Sequence, residues 1–249
     1  MVLYGLIGYP LGHSKSAILF NQRFRKEGKT NHEYRLFPMA DLNDFHALID
    51  SQPELFGLNV TIPYKTKIID FLDELDETAQ RIGAVNTITI FRDGKTYRTC
   101  GHNTDAGGFL RSLPQPLPFS KALVLGTGGA AKAVAHALRS LNIDCCFVSR
   151  SAHAENTLTY AEITPQTIEG CPCIINATPV GMYPHIDALP PIPYETLTPA
   201  HFLIDLVYNP PQTGFLKQGV IKNCTTMNGS SMLVHQADLA YSLFQEQEH

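Results

Sequence analysis

The stretch Ala122-Leu123-Val124-Leu125-Gly126-Thr127-Gly128-Gly129-Ala130-Ala131 runs from an apolar strand through a glycine-rich turn into a helix. A short buried-strand pattern followed at once by such a turn opens a βα unit that can wrap a phosphate. Gly126 suits the tight turn, and Gly128 lets a pyrophosphate approach the backbone. Ala131 fills the third position, where a small residue allows close helix–strand packing. The helix N-terminus at Gly129 and Ala130 adds free N–H groups and a partial positive charge. The next strand ends Val148-Ser149-Arg150-Ser151, with no acid between Cys145 and Ala154. Sites for NAD place an acid there to hold the ribose 2′-hydroxyl, whereas an arginine grips a 2′-phosphate through paired, charge-assisted hydrogen bonds. Ser149 and Ser151 add hydroxyl donors. These residues, with Thr127, read as an NADP site. The plainer alternatives are a tight turn that binds nothing and a solvated surface arginine.

Around this centre the chain has 249 residues, 44% hydrophobic and 17% charged. That is an ordinary globular composition at a length where two domains are expected. A net charge of −4 leaves no surplus of Lys and Arg to neutralise phosphates, which argues against nucleic acid or an anionic membrane as partner. The apolar run Val2–Gly8 is short and ends at the turn Gly8-Tyr9-Pro10, so it reads as a first strand and not a secretory leader. A cytoplasmic protein is expected, its partner a small molecule and its state a monomer or homodimer. The six cysteines lack metal-site spacing and the ten histidines are scattered, so no metal is expected.

The pattern predicts α/β architecture in two parts. Val2–Gly8, Tyr34–Phe37, Phe56–Val60 and Ala84–Phe91 read as strands. Ser14 to Gly28, Asp41 to about Asp50, and Tyr64–Leu72 read as helices between them. This βαβαβαβ order implies a mostly parallel sheet with helices on its faces. Pro114-Gln115-Pro116-Leu117-Pro118 punctuates the chain, and a second alternation follows it: strands Ala122–Leu125, Cys145–Ser149, Ile174–Asn176 and Phe202–Leu206, with a helix over Ala130–Leu141. Ser230–Phe244 reads as a strong final helix.

Four polar patches stand apart from these elements: Ser14-Lys15-Ser16, Asn59-Val60-Thr61-Ile62-Pro63-Tyr64-Lys65, Asn86, and Asn103-Thr104-Asp105. Hydroxyls, amides, one amine and one carboxylate suit a small polyhydroxy acid. Lys65 is the natural partner for a carbonyl oxygen becoming an alkoxide, and Asp105 can orient it or a substrate hydroxyl. Alone, Lys65 reads equally as an exposed lysine at a helix start, and Ser14 or Ser16 as a helix cap.

The order of Gly8-Tyr9-Pro10 with His13-Ser14-Lys15-Ser16, the Asn59–Lys65 segment, Gly83-Ala84-Val85-Asn86-Thr87, Gly101-His102-Asn103-Thr104-Asp105, Asn176-Ala177-Thr178-Pro179-Val180-Gly181-Met182 and Met232-Leu233-Val234-His235-Gln236-Ala237 resembles the shikimate dehydrogenase family. The resemblance spans nearly the whole chain. It implies NADP-dependent, reversible reduction of 3-dehydroshikimate to shikimate, in the route to chorismate and the aromatic amino acids. By that resemblance, Lys65 and Asp105 are the catalytic pair. Ser14 and Ser16 bind the substrate carboxylate, helped by Tyr208, and Thr61, Asn86 and Gln236 hold ring hydroxyls. Glu77, Leu206 and Gly229 fall at positions near the cofactor. The resemblance also implies a discontinuous substrate domain, residues 1–102 with 229–249, and a Rossmann-like NADP domain, residues 103–228, with the hydride crossing a cleft that closes over it. Ala17 stands where that family usually has proline, and Ser231 where it often has a second glycine. The rival readings are a quinate or dual quinate/shikimate dehydrogenase using NAD, and a non-catalytic binding homologue.

Overall fold

The computed structural model describes residues 1–12, 14–94, 96–151 and 156–247. His13 of the first serine motif, and residues 152–155 beyond Arg150, lie outside the described residues. The chain divides into two compact units, Met1–Thr104 with Gln236–His249, and Asp105–His235. Each is built on its own six-stranded sheet.

The first unit runs β1 (Val2–Gly8), α1 (Ser16–Lys26), β2 (His32–Pro38), α2 (Phe45–Ser51), β3 (Leu55–Val60), β4 (Glu74–Leu75), α3 (Glu77–Ile82), β5 (Thr87–Asp93) and β6 (Thr96–His102). Its sheet order is β2-β1-β3-β5-β6-β4. β1 pairs in parallel with β2 and β3, as β4 does with β6, while β5 runs antiparallel to β3 and β6. The sheet is therefore mixed. β6 is a strand that hydropathy hides, because Thr96, Arg98 and Thr99 leave it little apolar signal. The helix expected over Tyr64–Leu72 is instead a 3-10 turn at Lys67–Phe71. The Lys65 carbonyl accepts from the Val85 N–H at 2.7 Å, which ties this segment sideways where an α-helical ladder would begin.

The second unit begins with α4 (Asp105–Ser112), then β7 (Lys121–Leu125), α5 (Gly129–Ser140), β8 (Asp144–Ser149), β9 (Thr157–Thr159), α6 (Pro165–Glu169) and β10 (Cys173–Asn176). β11 (Phe202–Asp205), α7 (Gly214–Ile221) and β12 (Thr225–Asn228) complete it, and the final helix α8 (Ser230–Gln245) belongs from Gln236 onward to the first unit. The second unit's sheet, β12-β11-β10-β7-β8-β9, is parallel at every pairing, the Rossmann-like arrangement.

Strand β1 shows how the first core is split. Leu3 and Ile7 pack with Phe45, Ile49, Leu58 and Ile88, whereas Tyr4 and Leu6 pack with Phe20, Phe24, Tyr241 and Phe244. That is the two-residue period of a strand covered on both faces. The second cluster includes the later part of α8, so the last helix returns to the first sheet. Tyr4 and Phe244 stack with ring centroids 4.6 Å apart. Burying Tyr241 and Phe244 contributes roughly 3–6 kcal/mol by area. The half-exposed Arg23–Asp238 pair at 2.5 Å adds about 1 kcal/mol at most, so packing holds this helix and the ion pair only trims its register.

Candidate functional site

In the first sheet, strand order reverses between β1 and β3. At such a point the C-terminal ends of neighbouring strands open a ligand crevice. The segment with Ser14 and Ser16 leaves β1 there, and Thr61 to Lys65 leaves β3. Two backbone bonds hold these exits side by side: Thr61 N–H donates to Ile7 O at 2.9 Å and Tyr9 N–H to Ile62 O at 3.0 Å. The buried Tyr64 hydroxyl is shared between the carbonyls of Met39 and Ala40, at 2.7 and 2.9 Å. With the Lys65 carbonyl bonded to Val85, the turn is pinned on both sides of the half-buried Lys65. At the other exit, Ser14 Oγ accepts from the Ser16 N–H at 3.2 Å. The hydroxyl of Ser14 thus shapes the start of α1, a role compatible with ligand binding.

Antiparallel pairing brings two more patches to the same edge. Asn59 lies opposite Thr87, so the chain enters β5 there carrying Asn86; Thr87 lies opposite His102, so β6 leaves there carrying Asn103-Thr104-Asp105. Asn86, 2% exposed, is the hub. Its Oδ1 accepts from Thr104 N–H at 2.7 Å, and its Nδ2 donates to Thr104 Oγ1 at 2.8 Å and to Gln236 Oε1 at 3.3 Å. Gln236 on α8 is therefore drawn to the residue it was expected to assist. Asn103 Nδ2 donates to Ala84 O at 2.8 Å. His102 fastens the end of β6, its Nδ1 meeting Asp76 Oδ2 at 2.8 Å and its Nε2 meeting Thr89 Oγ1 at 3.0 Å. Burial pushes the Asp76 carboxyl up, but the bonds from His102 and the Ala79 N–H outweigh it and hold the group below its usual range.

The second sheet has its own switch, between β7 and β10. Gly126 follows β7 at φ +108°, a conformation side chains rarely adopt, and its N–H donates to Val148 O at 2.7 Å. That bond sets the glycine turn beside the end of β8, where Ser149 is followed by the exposed Arg150 and Ser151. Thr127 and Gly128 are exposed, and nothing lies within 4 Å of where a Gly128 side chain would start. The N-terminus of α5, from Gly129 and Ala130, opens onto that space. A backbone cradle of this kind fits a pyrophosphate. Leu206 and Gly229 are also brought together: any side chain at Gly229 would run into the Leu206 carbonyl.

One group here escaped the sequence reading. Asp205, wholly buried at the end of β11, accepts from Thr213 Oγ1 at 2.5 Å, from Val207 N–H at 3.0 Å and from Asn176 Nδ2 at 3.0 Å. Asn176 Oδ1 in turn accepts from Thr178, at 3.1 Å from its N–H and 2.6 Å from its hydroxyl. Burial outweighs the donors and pushes the Asp205 carboxyl up to about 6. Its signal was present, an acid ending the apolar run Phe202-Leu203-Ile204. The remaining sequence candidates are placed as follows. Asp105, 3% exposed, opens α4 in the second unit, and Tyr208 is half-buried beyond β11. Glu77 is exposed on α3 of the first unit and ion-paired with Arg81. Among the described residues no cluster could hold a metal ion, and no helix is long and apolar enough to cross a membrane.

The family model for the shikimate dehydrogenase substrate binding domain matches residues 6–88. The NADP(+) shikimate dehydrogenase of Methanosphaera stadtmanae is 35% identical over 264 residues, covering 98% of this chain and 91% of that protein. The crystal structure of the shikimate 5-dehydrogenase of Thermus thermophilus, in complex with NADP(H) and shikimate, superposes with a TM-score of 0.84 at 30% identity, covering 99% of this chain and 94% of that one. The quinate dehydrogenase of Corynebacterium glutamicum, in complex with NAD, also gives 0.84 at 30% identity, over 98% of this chain and 94% of its own.

Proposed function

The chain belongs to the shikimate dehydrogenase family, and from that premise we propose how its two units share the reaction. It is an NADP-dependent oxidoreductase that reduces 3-dehydroshikimate reversibly to shikimate, in the route to chorismate and the aromatic amino acids. In our reading the first unit holds the polyhydroxy acid and the second holds the dinucleotide. The observation that carries this is the gathering of Ser14, Ser16, Thr61, Lys65 and Asn86 at one edge of the first sheet, with Gln236 bonded to Asn86.

Ser14 and Ser16 take the substrate carboxylate with Tyr208, and Thr61, Asn86 and Gln236 take ring hydroxyls. Reduction adds a hydride to the carbonyl carbon and a proton to its oxygen. Bound NADPH supplies the hydride. The Lys65 ammonium stabilises the charge that develops on the oxygen, and Lys65 and Asp105 together deliver the proton. Gly126 to Ala130 cradle the pyrophosphate, while Ser149, Arg150 and Ser151 hold the 2′-phosphate. Leu206, Gly229 and Glu77 are proposed near the cofactor on the family pattern alone. The six cysteines are free, which suits the reducing cytoplasm, and the working form is a monomer or homodimer.

The test is steady-state kinetics with shikimate and quinate, each with NADP and NAD. The highest kcat/KM is expected for shikimate with NADP. A higher value for quinate with NAD, the pairing suggested by the Corynebacterium glutamicum neighbour, would overturn the assignment of substrate and cofactor.

A further inference from the structure

Asn176 and Asp205 end neighbouring parallel strands, β10 and β11, directly opposite each other, and both are wholly buried. Each folds its own chain back two residues on. Asp205 Oδ1 accepts from the Val207 N–H at 3.0 Å, and Asn176 Oδ1 from the Thr178 N–H at 3.1 Å. Such a bond turns the backbone as soon as the strand stops. The two turns are also joined, because Asn176 Nδ2 donates to Asp205 Oδ1 at 3.0 Å and to Val180 O at 3.1 Å. A backbone N–H can only donate, so Asn176 must face Thr178 with its oxygen and Asp205 with its nitrogen.

The same pair reaches the segments that leave the strands. Leu206 N–H donates to Asn176 O at 2.9 Å and Gly229 N–H to Val207 O at 3.2 Å, which fixes the exit of β11 on both sides of the Val207 bond. Thr213 Oγ1 donates to Asp205 Oδ2 at 2.5 Å and accepts from Leu216 N–H at 3.3 Å, so the start of α7 hangs on the same carboxylate. At the exit of β10, Thr178 Oγ1 donates to Asn176 Oδ1 at 2.6 Å and accepts from Val180 N–H at 3.2 Å. Thr178 Cγ2 stands 3.0 Å from where a Gly126 side chain would begin, so this exit rests against the proposed pyrophosphate turn.

Sheet order shows which half of a dinucleotide passes here. The glycine turn leaves β7; Arg150 follows β8 on one side of it, and β10 and β11 lie on the other. A dinucleotide with its pyrophosphate at the turn and its 2′-phosphate at Arg150 has its nicotinamide half left to pass over the exits of β10 and β11.

We infer that Asp205 is a positioning residue for the nicotinamide half of NADP: joined to Asn176, it makes the exits of β10 and β11 a single rim at a fixed span from the pyrophosphate turn. The inference rests on the reading that Gly126 to Ala130 and Arg150 hold the other half. Asp205 is sealed from any ligand, so it governs where the ring lies and not whether the cofactor binds. Hydride transfer is steep in placement, and a displacement of about 1 Å can cost about a hundredfold in rate.

The experiment compares Asp205→Ala, Asp205→Asn and Asn176→Ala in the full chain with shikimate and NADP. Sites are counted by titration with 2′,5′-ADP, which carries the 2′-phosphate end and has no nicotinamide. Turnover per 2′,5′-ADP site is expected to fall about 10–100-fold in Asp205→Ala, with Kd for 2′,5′-ADP within about twofold. Asp205→Asn keeps an oxygen towards Val207 and Asn176 and turns its amide nitrogen to Thr213 Oγ1, so it is expected to restore turnover to within about threefold of the unaltered protein. Asn176→Ala leaves Asp205 its bonds to Val207 and Thr213 but removes the tie to β10. It is expected to repeat the pattern of Asp205→Ala in weaker form, and it decides the matter if Asp205→Ala does not fold. Unchanged turnover per site in the alanine variants overturns the inference. So does affinity for 2′,5′-ADP lost in step with turnover, or an Asp205→Asn variant as impaired as Asp205→Ala. No turnover of shikimate by the unaltered protein overturns the functional reading and the inference with it; the other adverse outcomes overturn the inference alone.

Discussion

In the first unit the groups proposed to meet the ligand are side chains, and Asn86 and Gln236 belong to a hydrogen-bonded network: Asn86 is bonded to Thr104 and Gln236, and Asn59 beneath it to Tyr34, Thr87 and the Asn86 carbonyl. In the second unit they are largely backbone, an open glycine turn and a helix N-terminus, with Arg150 exposed at the rim. The difference follows from the two ligands. A pyrophosphate is the same in every dinucleotide and needs only N–H groups pointed at it. A polyhydroxy acid differs from its relatives by single hydroxyls, and discrimination at that level needs polar groups that are left unpaired by the wrong ligand. Fixed side-chain amides supply it.

The sharpest way to break this contrast is Lys65→Ala. If the first unit works through individual side chains, turnover of shikimate falls about 10²–10⁴-fold while circular dichroism and NADP binding stay intact. Near-normal turnover would remove Lys65 from the chemistry.

A second test concerns Asp205, a wholly buried carboxylate of the backbone-built unit. The Asp205 pKa is pushed from 3.8 to about 6, mainly by burial. A raised folded-state value means its contribution is fully present below 3.8 and is lost as pH rises through about 6. The loss amounts to about 3 kcal/mol. The stability of the wild type relative to Asp205→Asn, from urea unfolding, is therefore expected to drop by that order between pH 4 and pH 7.5. Any fixed cost of the asparagine cancels in this comparison. A flat difference would show that the three donors match the burial.

The smallest effect is expected from Arg150→Asp. NADPH binding weakens about tenfold while NADH binding is nearly unchanged, because the shared backbone cradle is untouched. Equal losses for both cofactors, read from fluorescence titrations, would mean that this side chain does more than select the 2′-phosphate.

The two units also differed in how openly the sequence announced them. The glycine turn was legible because a backbone at positive φ leaves glycine as its mark. The strands around it were legible as short apolar runs. The first unit's motifs were legible as polar residues in apolar company, and their order along the chain carried the family. What they rest on was not. Tyr34 and Asn59 are 25 positions apart and meet only because β1 separates their strands in the sheet. β6 was hidden by its threonines and arginine. The 3-10 turn after Lys65 was read as a full helix, since nothing local reveals that Val85 claims the Lys65 carbonyl. Asp205 was passed over as one acid among many, because burial is a property of the sheet and not of the residue.

The return of α8 to the first sheet carries a consequence for synthesis. Gln236, Tyr241 and Phe244 are translated after all of residues 105–235, so the second unit leaves the ribosome with its own core complete. The first unit is made earlier but waits for the last helix, with one face of its sheet, around Tyr4, Phe20 and Phe24, still uncovered. At about 5–20 residues per second, that wait lasts roughly 7–26 s for the intervening 131 residues. The half of the molecule begun first is finished last, and during the interval its bare aromatic face is the surface that a chaperone, or another nascent chain, would meet.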